Sequence, residues 1–417
     1  MKIGMQTWGS HGDIFPFIAL ADGLQSAGHD VTLAVTSGDN RDYSELASQF
    51  NLKLLHVYGR FKEVPQDVFK KVVNTRDKIK QTRLLNEYYF DPAVDEMYEV
   101  SRMLCADNDI VISHFWVHTM LTAATLKNIP RIVVTLFPIS VRSNYIPGAG
   151  PNLGTWLNGL IWDLGDYLTG RQWFGNANDL RLKQGLPPIK SLQKELFISD
   201  DLTLIAASSL LCTRPPDWGE NIQISGFLNI PRSEPTTALP DSLKKFLQAG
   251  DPPVYLTFGS CDKFFPEDNA KLFLDTVQSI GERAIVQSQC DSMFKNCDET
   301  KIYHLKEADH AQVFPHCKLI VHHGGAGTTQ SALCAGKPSI VVEHGFDQGY
   351  WGKALVNAKV SPDLLHRKSV TPPRLAKSII KGLSSPQFTS NASQLGKLLI
   401  KENGVKNAVE IINNRFG

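Results

Sequence analysis

The sequence predicts two doubly wound, Rossmann-like α/β domains facing one another across a cleft, and three observations carry that expectation. Short apolar runs of strand length alternate with helix-length segments in both halves of the chain. A glycine-rich turn follows a strand in each half: Gly9-Ser10-His11-Gly12-Asp13 in the first, and His323-Gly324-Gly325-Ala326-Gly327-Thr328-Thr329 in the second. Between the halves, Asn229 to Pro240 places three prolines among polar residues, the composition of a linker. At 417 residues the chain is long enough for two domains of ordinary size. The expected division is 1–230, a linker at 231–240, 241–400, and a helix at 401–417 that packs on either domain, including back on the first.

In the first half, a strand over 2–7 leads through the glycine turn into a helix near Ile14 to Ala27. Gly28-His29-Asp30 then turns the chain into a strand, Val31 to Val35. Asp109 to Ser113 reads as a strand, Thr119 to Lys127 as a helix and Arg131 to Phe137 as a further strand. Repeated βα units imply a parallel sheet covered on both faces, with ligands collecting at the carboxyl ends of the strands. Tyr145 to Pro151 reads as loop. Trp156, Leu157, Leu160, Ile161, Leu164, Tyr167 and Leu168 then recur at helical spacing. A helix packed on the core through those residues explains the pattern; so does an apolar wall for a lipophilic substrate or a peripheral membrane contact, to which Trp162 and Trp173 would add. After the linker come a strand, Val254 to Phe258, a helix, Glu267 to Ile280, and strands at Ala284 to Gln287, Lys318 to His322 and Ser339 to Glu343. Gln330 to Ala335 reads as a helix stopped by Gly336 and Pro338, and Gly404 to Phe416 as the last helix.

Composition narrows the chemistry. With 43 basic and 42 acidic residues the net charge is +1, which leaves no basic excess to neutralise a nucleic acid backbone. No apolar run approaches the ~20 residues of a membrane-spanning helix. The N-terminus enters strand pattern directly, without a signal-peptide pattern, so a cytoplasmic protein is expected. Seven scattered cysteines without a CxxC pair read as reduced thiols. His310, His316, Cys317, His322 and His323 raise the question of zinc, but adjacent histidines on a strand point to opposite faces, and no metal site is expected. Asp107-Asn108-Asp109 reads as a polar turn before a strand.

The second glycine turn, joining a strand to a helix, would aim backbone N–H groups and a positive helix end at a bound anion. Asp347-Gln348, about twenty residues on, supplies side chains suited to sugar hydroxyls. The first turn is no GxGxxG fingerprint, and the following strand ends in Thr36-Ser37 rather than an acid for an adenosine ribose, so a nicotinamide or flavin enzyme is disfavoured. Asp13 reads either as a helix-capping residue or as a general base.

The segments Thr7-Trp8-Gly9-Ser10-His11-Gly12-Asp13-Ile14-Phe15-Pro16, Pro215-Pro216-Asp217-Trp218 with Ile224-Ser225-Gly226-Phe227, Thr257-Phe258-Gly259-Ser260, and His322 to Thr329 followed by Asp347-Gln348 and Trp351-Gly352 occur in this order across nearly the whole chain. Together they resemble the signatures of the GT-B-fold nucleotide-sugar glycosyltransferases of family 1, the sterol glucosyltransferases and the glycopeptide and macrolide enzymes above all. The resemblance implies an inverting, metal-independent transfer of a sugar, glucose first, from a UDP-sugar co-substrate to a hydroxyl of a lipophilic small molecule, with no cofactor. It implies Asp13 as general base, with His11 as a second candidate. It places the diphosphate at His323, Gly325, Ala326, Gly327, Thr328 and Ser260, the nucleobase at His310, and the sugar at Asp347 and Gln348. His114 falls where related plant-type enzymes support their base, and is expected to orient or tune Asp13. Glu343 and His344 depart from the family pattern just upstream of Asp347, which bears on sugar preference. Tyr145, Ile146, Trp156 and Leu160 are the expected acceptor wall. A non-catalytic sugar-nucleotide-binding protein and a sugar-nucleotide epimerase of the same fold are the alternatives.

Overall fold

A computed structural model describes residues 1–38, 41–59, 78–148, 151–229 and 239–417, with the side chains of residues 78, 79, 82, 85, 169 and 171–174 also outside the description. Most of the expected linker, two residues of the loop at 145–151 and the Trp173 side chain therefore lie outside the described residues. The chain divides into two compact units, Met1–Pro231 with Asn403–Gly417, and Arg232–Glu402.

The first unit is built on seven parallel strands: β1 (Lys2–Gly9), β2 (Asp30–Ser37), β3 (Lys53–His56), β4 (Ile110–His114), β5 (Arg131–Thr135), β6 (Leu202–Ile205) and β7 (Ile222–Ile224). Their order is β3-β2-β1-β4-β5-β6-β7. The second unit has six parallel strands: β8 (Val254–Thr257), β9 (Ala284–Gln287), β10 (Ile302–Leu305), β11 (Leu319–His322), β12 (Ser339–Glu343) and β13 (Leu364–His366), ordered β10-β9-β8-β11-β12-β13. Central strands such as β4, β5, β8 and β11 are buried along their whole length, as strands with helices on both faces must be. Chain order reverses between β1 and β4 in one sheet and between β8 and β11 in the other. Such switch points open a crevice beyond the strand ends, because the connections leave toward opposite faces.

Helix boundaries depart from the sequence reading at both glycine turns. The first helix runs His11–Ser26, three residues earlier than expected, because Ser10 and Asp13 form a capping box. The helix after β11 runs Ala326–Cys334, so the last glycine of the cradle is already helical. The unanticipated strands β3, β6, β7, β10 and β13 are each only three or four residues long, too short to display a period. Four of them are sheet edges.

The stretch after Gly154 is one helix, Thr155–Lys183. It does not pack through the predicted stripe. Trp156 is 77% exposed, and Leu160, Leu164, Tyr167 and Leu168 are also open, whereas Asn158, Trp162, Ala177 and Leu180 are buried. Trp162 lies against Gly148, with its indole N–H donating to the Ile146 carbonyl at 2.8 Å. Among the described side chains the buried positions of this helix are few and partly polar, so the apolar stripe lies on its open face.

The final helix, Gly404–Phe416, belongs to the first unit: Val405, Ala408, Val409 and Ile412 join the core formed by Phe17, Leu20, Ala21 and Leu24 of the first helix. Gly23 makes room for Val405, and Gly404 lies against the Phe227 carbonyl. Among the described residues no helix is long and apolar enough to cross a membrane.

Candidate functional site

At the switch point of the first unit, β1 ends in Gly9 at φ +135°, a backbone state that only glycine adopts readily. A Cβ at Gly9 would also lie 2.7 Å from Cγ of Asp13. The Asp13 carboxylate accepts the Ser10 backbone N–H at 2.8 Å and the Ser10 hydroxyl at 2.9 Å, both at Oδ2. Oδ1 lies 3.8 Å from Nε2 of His114, the last residue of β4, and the Asp13 side chain keeps 35% of its surface. Burial of the carboxyl pushes its pKa up, and the two Ser10 hydrogen bonds pull it part of the way back. Asp13 therefore completes a capping box through Oδ2, while Oδ1 faces His114.

His114 is 3% exposed, and burial lowers its pKa to about 3, so the ring is neutral. Its Nδ1 accepts the Trp116 backbone N–H at 3.4 Å. That contact puts the ring proton on Nε2, the atom facing Asp13, where it has no hydrogen-bond partner. His11 sits on the exposed side of the turn, stacked on Tyr43 with Nδ1 3.4 Å from the Tyr43 hydroxyl. Gly9→Ala should displace the Asp13 carboxylate and cost turnover at least about tenfold, since a small misplacement of a reacting group is expensive. Loss of activity with an unchanged far-ultraviolet circular dichroism spectrum is the expected result.

The second unit holds the other glycine turn at its own switch point. Gly324 has φ +93°, and a Cβ there would lie 2.6 Å from Val341 and 3.0 Å from the Gln348 carbonyl. The His322 ring supports the turn by accepting the Gly324 N–H at Nδ1, 3.1 Å away. His323 lies between Gly259 and Gly325: a Cβ on Gly259 would approach its Cε1 to 2.8 Å, and one on Gly325 its Nε2 to 2.6 Å. Bare backbone on both sides lets a buried imidazole sit at the mouth of the turn. Its Nδ1 has no hydrogen-bond partner, and burial, then the nearby His310, lower its pKa to about 4. Gly325 is the N-cap of the helix Ala326–Cys334, so the first N–H groups of that helix belong to the turn. Thr328 is partly buried there, and Ser260 is exposed in the turn after β8.

His310 begins a short helix and stacks on Phe314 at 4.5 Å, with Nε2 3.3 Å from Oε1 of Gln287. That oxygen also accepts from the Tyr255 and Thr257 hydroxyls, both at 2.9 Å. Asp347 accepts the Trp351 indole N–H at 2.8 Å through Oδ2. Gln348 is buried: Oε1 accepts the His344 N–H at 2.7 Å, and Nε2 points to the Cys261 sulfur at 3.8 Å. The Gln348 amide thus holds the turn in which Gly345 and Phe346 both have positive φ. His344 is buried, donates from Nδ1 to the Val342 carbonyl at 3.0 Å, and has its pKa lowered to about 3, mainly by burial. Glu343 lies against Gly349.

Sequence reasoning missed the supporting residues. Ser10 carries a legible signal, its three-residue spacing from Asp13 ahead of a helix. Gln287 carries none, since its role arises from β9 lying beside β8. The Pro215-Pro216-Asp217-Trp218 segment works locally: Asp217 accepts from the Ser143 hydroxyl and the Asn144 N–H, and the Trp218 indole donates to the Arg142 carbonyl. It thereby pins the loop that exposes Tyr145. Asp109 accepts the Lys2 N–H and Asn108 donates to the Leu104 carbonyl, which gives that acidic turn a structural task. Among the described residues, no three histidine, cysteine, aspartate or glutamate side chains gather as a metal-binding group.

Two family models match the chain. Residues 3–133 match the N-terminal domain of glycosyltransferase family 28, and residues 309–409 match the C-terminal domain described as erythromycin biosynthesis protein CIII-like. The chain is 26% identical to UDP-sugar-dependent glycosyltransferase 52 of Dictyostelium discoideum, over 99% of this chain and 26% of that protein. It is 25% identical to a sterol 3-beta-glucosyltransferase of Arabidopsis thaliana, over 98% of this chain and 67% of that one. It is 26% identical to O-mycaminosyltylonolide 6-deoxyallosyltransferase of Streptomyces fradiae, over 99% and 97% respectively. The chain therefore spans about a quarter of the Dictyostelium protein and nearly all of the Streptomyces one. Among solved structures, the glycosyltransferase of kitacinnamycin superposes with a TM-score of 0.71 at 17% identity, over 100% of this chain and 99% of that one. VinC in complex with dTDP superposes at 0.66 and 18%, over 100% and 99%. Two parallel-sheet units with these loops at their switch points, and these matches, define a glycosyltransferase scaffold. The fold is that of the GT-B glycosyltransferases, and the chain is similar to glycosyltransferases over nearly its whole length.

Proposed function

We propose that this protein transfers a hexosyl group, glucose first, from a uridine diphosphate sugar to a hydroxyl of a lipophilic small molecule of the sterol or polyketide kind, with inversion at the anomeric carbon. The observation that carries this reading is the Asp13 carboxylate, held at one oxygen by Ser10 and faced at the other by His114 Nε2. The acceptor oxygen attacks the anomeric carbon, its proton passes to Asp13, and the bond to the diphosphate oxygen breaks. An alcohol is a weak nucleophile at neutral pH, so removing its proton in the transition state is worth about 10²–10⁴ in rate. The leaving diphosphate takes up negative charge, which the N–H groups at Gly325 to Thr328, the end of the helix they open and His323 are suited to meet. In this reading Ser260 reaches the phosphates, His310 the base and Asp347 the sugar hydroxyls. Gln348 acts by shaping the turn that presents Asp347. The mechanism asks for no metal and no cofactor. The names of the Dictyostelium and Arabidopsis relatives support uridine and glucose, and the dTDP complex of VinC makes thymidine the contrast to include.

The test is a donor-by-acceptor panel with mass detection of products. UDP-glucose, dTDP-glucose and UDP-N-acetylglucosamine are paired with a sterol, a macrolactone and a flavonoid. Nucleotide release that does not depend on an added acceptor, with no glycoside formed across the panel, would overturn the proposal in favour of a binding protein or an epimerase.

His114 is a positioning residue in this mechanism. At 3.8 Å the His114 Nε2–H is beyond hydrogen-bond distance of Asp13; brought within it in the substrate complex, that neutral N–H would hold the Asp13 pKa down. His114→Ala should shift the acidic limb of the kcat profile, which reports the substrate complex, to higher pH by roughly half a unit to one unit. A profile that stays in place would remove His114 from the mechanism.

A further inference from the structure

The first half of the helix Thr155–Lys183 turns outward an apolar ridge that the mechanism above does not use. Trp156, Leu157, Leu160, Leu164, Tyr167 and Leu168 are all exposed. At 3.6 residues per turn they fall within an arc of about 120°, over a length of roughly 20 Å. Trp156 and Tyr167 share one edge of that arc, and the leucines fill the rest. Asn158 and Trp162, on the opposite side, are buried and donate to the carbonyls of Asn144 and Ile146 at 3.1 and 2.8 Å. These bonds fix the ridge to the loop that leaves the carboxyl end of β5.

Charge is kept off the arc. The charged residues within 155–168 are Asp163 and Asp166 alone. Asp163 stands at the aromatic edge, closed in a two-point ion pair with Arg142 at 2.7 and 2.8 Å. Asp166 turns to the other side, where it accepts the Ser191 hydroxyl and the backbone N–H groups of Leu192 and Gln193. An exposed apolar strip rimmed by polar groups marks an interaction site. Its shape selects the occupant. A small lipophilic molecule is held by a concave pocket that covers most of its surface, whereas this strip is convex, with Trp156 77% exposed. A second copy of the chain would need about 20–30 residues a side for a stable interface, several times what one ridge supplies. A bilayer needs only a helix that sinks one face by about 5–10 Å, with aromatic rings at the level of the headgroups.

We propose that this ridge docks on the lipid–water interface of a bilayer, with the helix lying in the membrane plane. With no cation within 155–168, the attachment is apolar and takes neutral phosphatidylcholine as readily as an anionic lipid. The docking goes beyond the transferase reading and does not rest on it. Where both hold, a sterol-class acceptor is met at the membrane surface.

The test is flotation of the full chain with phosphatidylcholine vesicles. Half of the protein should be bound by about 0.1–1 mM lipid, the range of a single acyl anchor. Binding should be the same at low and high sodium chloride, because no charge pair is screened. Leu164→Gln/Leu168→Gln should weaken it at least about tenfold, through loss of two leucines from the apolar face. Both positions are exposed and glutamine is a good helix former, so helix content and UDP affinity should hold. In the wild-type protein, phosphatidylcholine brominated on its acyl chains should quench tryptophan emission, and Trp156→Phe should remove most of that quenching. This readout stands even if the double variant does not fold. No binding at millimolar lipid, binding that survives the double substitution in folded protein, binding abolished by salt, or an absence of quenching would overturn the proposal. So would a dimer that the double substitution dissolves, since a second copy would then cover the ridge. Glycoside formation in the panel without vesicle binding sinks the docking alone. A protein that binds vesicles but forms no glycoside sinks the transferase reading and leaves the docking standing.

Discussion

Asp13→Asn should lower kcat by about 10²–10⁴ while leaving UDP affinity within a factor of about two, as measured by single-turnover rates and calorimetric titration. The substitution keeps an oxygen for the Ser10 N–H and hydroxyl, so the capping box and the path of the helix His11–Ser26 survive. What it removes is the proton acceptor. The effect on stability has a definite sign. Burial raises the Asp13 pKa in the folded protein above its unfolded value. A group shifted that way favours folding fully only below the unfolded pKa, and the contribution disappears as pH rises through the folded one. At pH 7 the ionised carboxylate is therefore a net cost, and the asparagine variant should melt no lower than wild type. A dead enzyme with an undiminished melting temperature marks a group kept for chemistry at the expense of stability. Full activity in Asp13→Asn would remove the base from the mechanism, and a drop of several degrees would show that the carboxylate is mainly a structural cap.

The second large effect is acid lability. His114 and His118 in the first unit have pKa values of about 3 and about 4, and His323 and His344 in the second about 4 and about 3; burial dominates every case. His322 is also held well below the usual value. Each ring stays neutral in the folded chain but binds a proton in the unfolded one once pH falls below about 6.5. Folded pKa values below the unfolded ones mean that stability is present above about pH 6.5 and is lost as pH falls toward about 4. Each such histidine contributes a slope of up to about 1.4 kcal/mol per pH unit, so the two in the first unit approach about 3 kcal/mol per pH unit and the three in the second about 4. Against domain stabilities of about 5–15 kcal/mol, that slope brings either unit close to unfolding before pH 4. The raised pKa values of Asp13, Asp91 and Asp262 oppose the trend, but only near the acidic end of the range. Urea midpoints at pH 7, 6 and 5 should fall in steps of growing size. A midpoint independent of pH over that interval would mean that these rings are not buried and neutral.

Much of the site was legible because its geometry is local. A glycine turn between a strand and a helix places N–H groups at a helix end wherever it occurs, and Asp13 sits three residues from a serine ahead of apolar helix. The parts that were illegible are those that depend on strand neighbours. His114 was legible only through the family resemblance, since it faces Asp13 because β4 pairs with β1, although about a hundred residues separate them in the chain. Gln287 holds His310 because β9 pairs with β8. The contacts of the Gln348 amide with the His344 N–H and the Cys261 sulfur likewise join positions that no local spacing relates. Of the two readings of the stripe in the helix Thr155–Lys183, packing on the core fails, because the buried positions include Asn158 while leucines cover the open side.

By itself, the sequence determined the two parallel α/β units, the glycine turns after β1 and β11, and the acid and phosphate-type loops that go with them. These follow from hydrophobic period and turn chemistry, which act over a few residues. Only the tertiary structure decided which oxygen of Asp13 faces His114, which nitrogen of His114 carries the proton, and that the apolar stripe after Gly154 stands on the open face of its helix. Protonation and hydrogen-bond partners depend on burial and on what packs alongside, and both are set by strand order and helix docking rather than by neighbours along the chain.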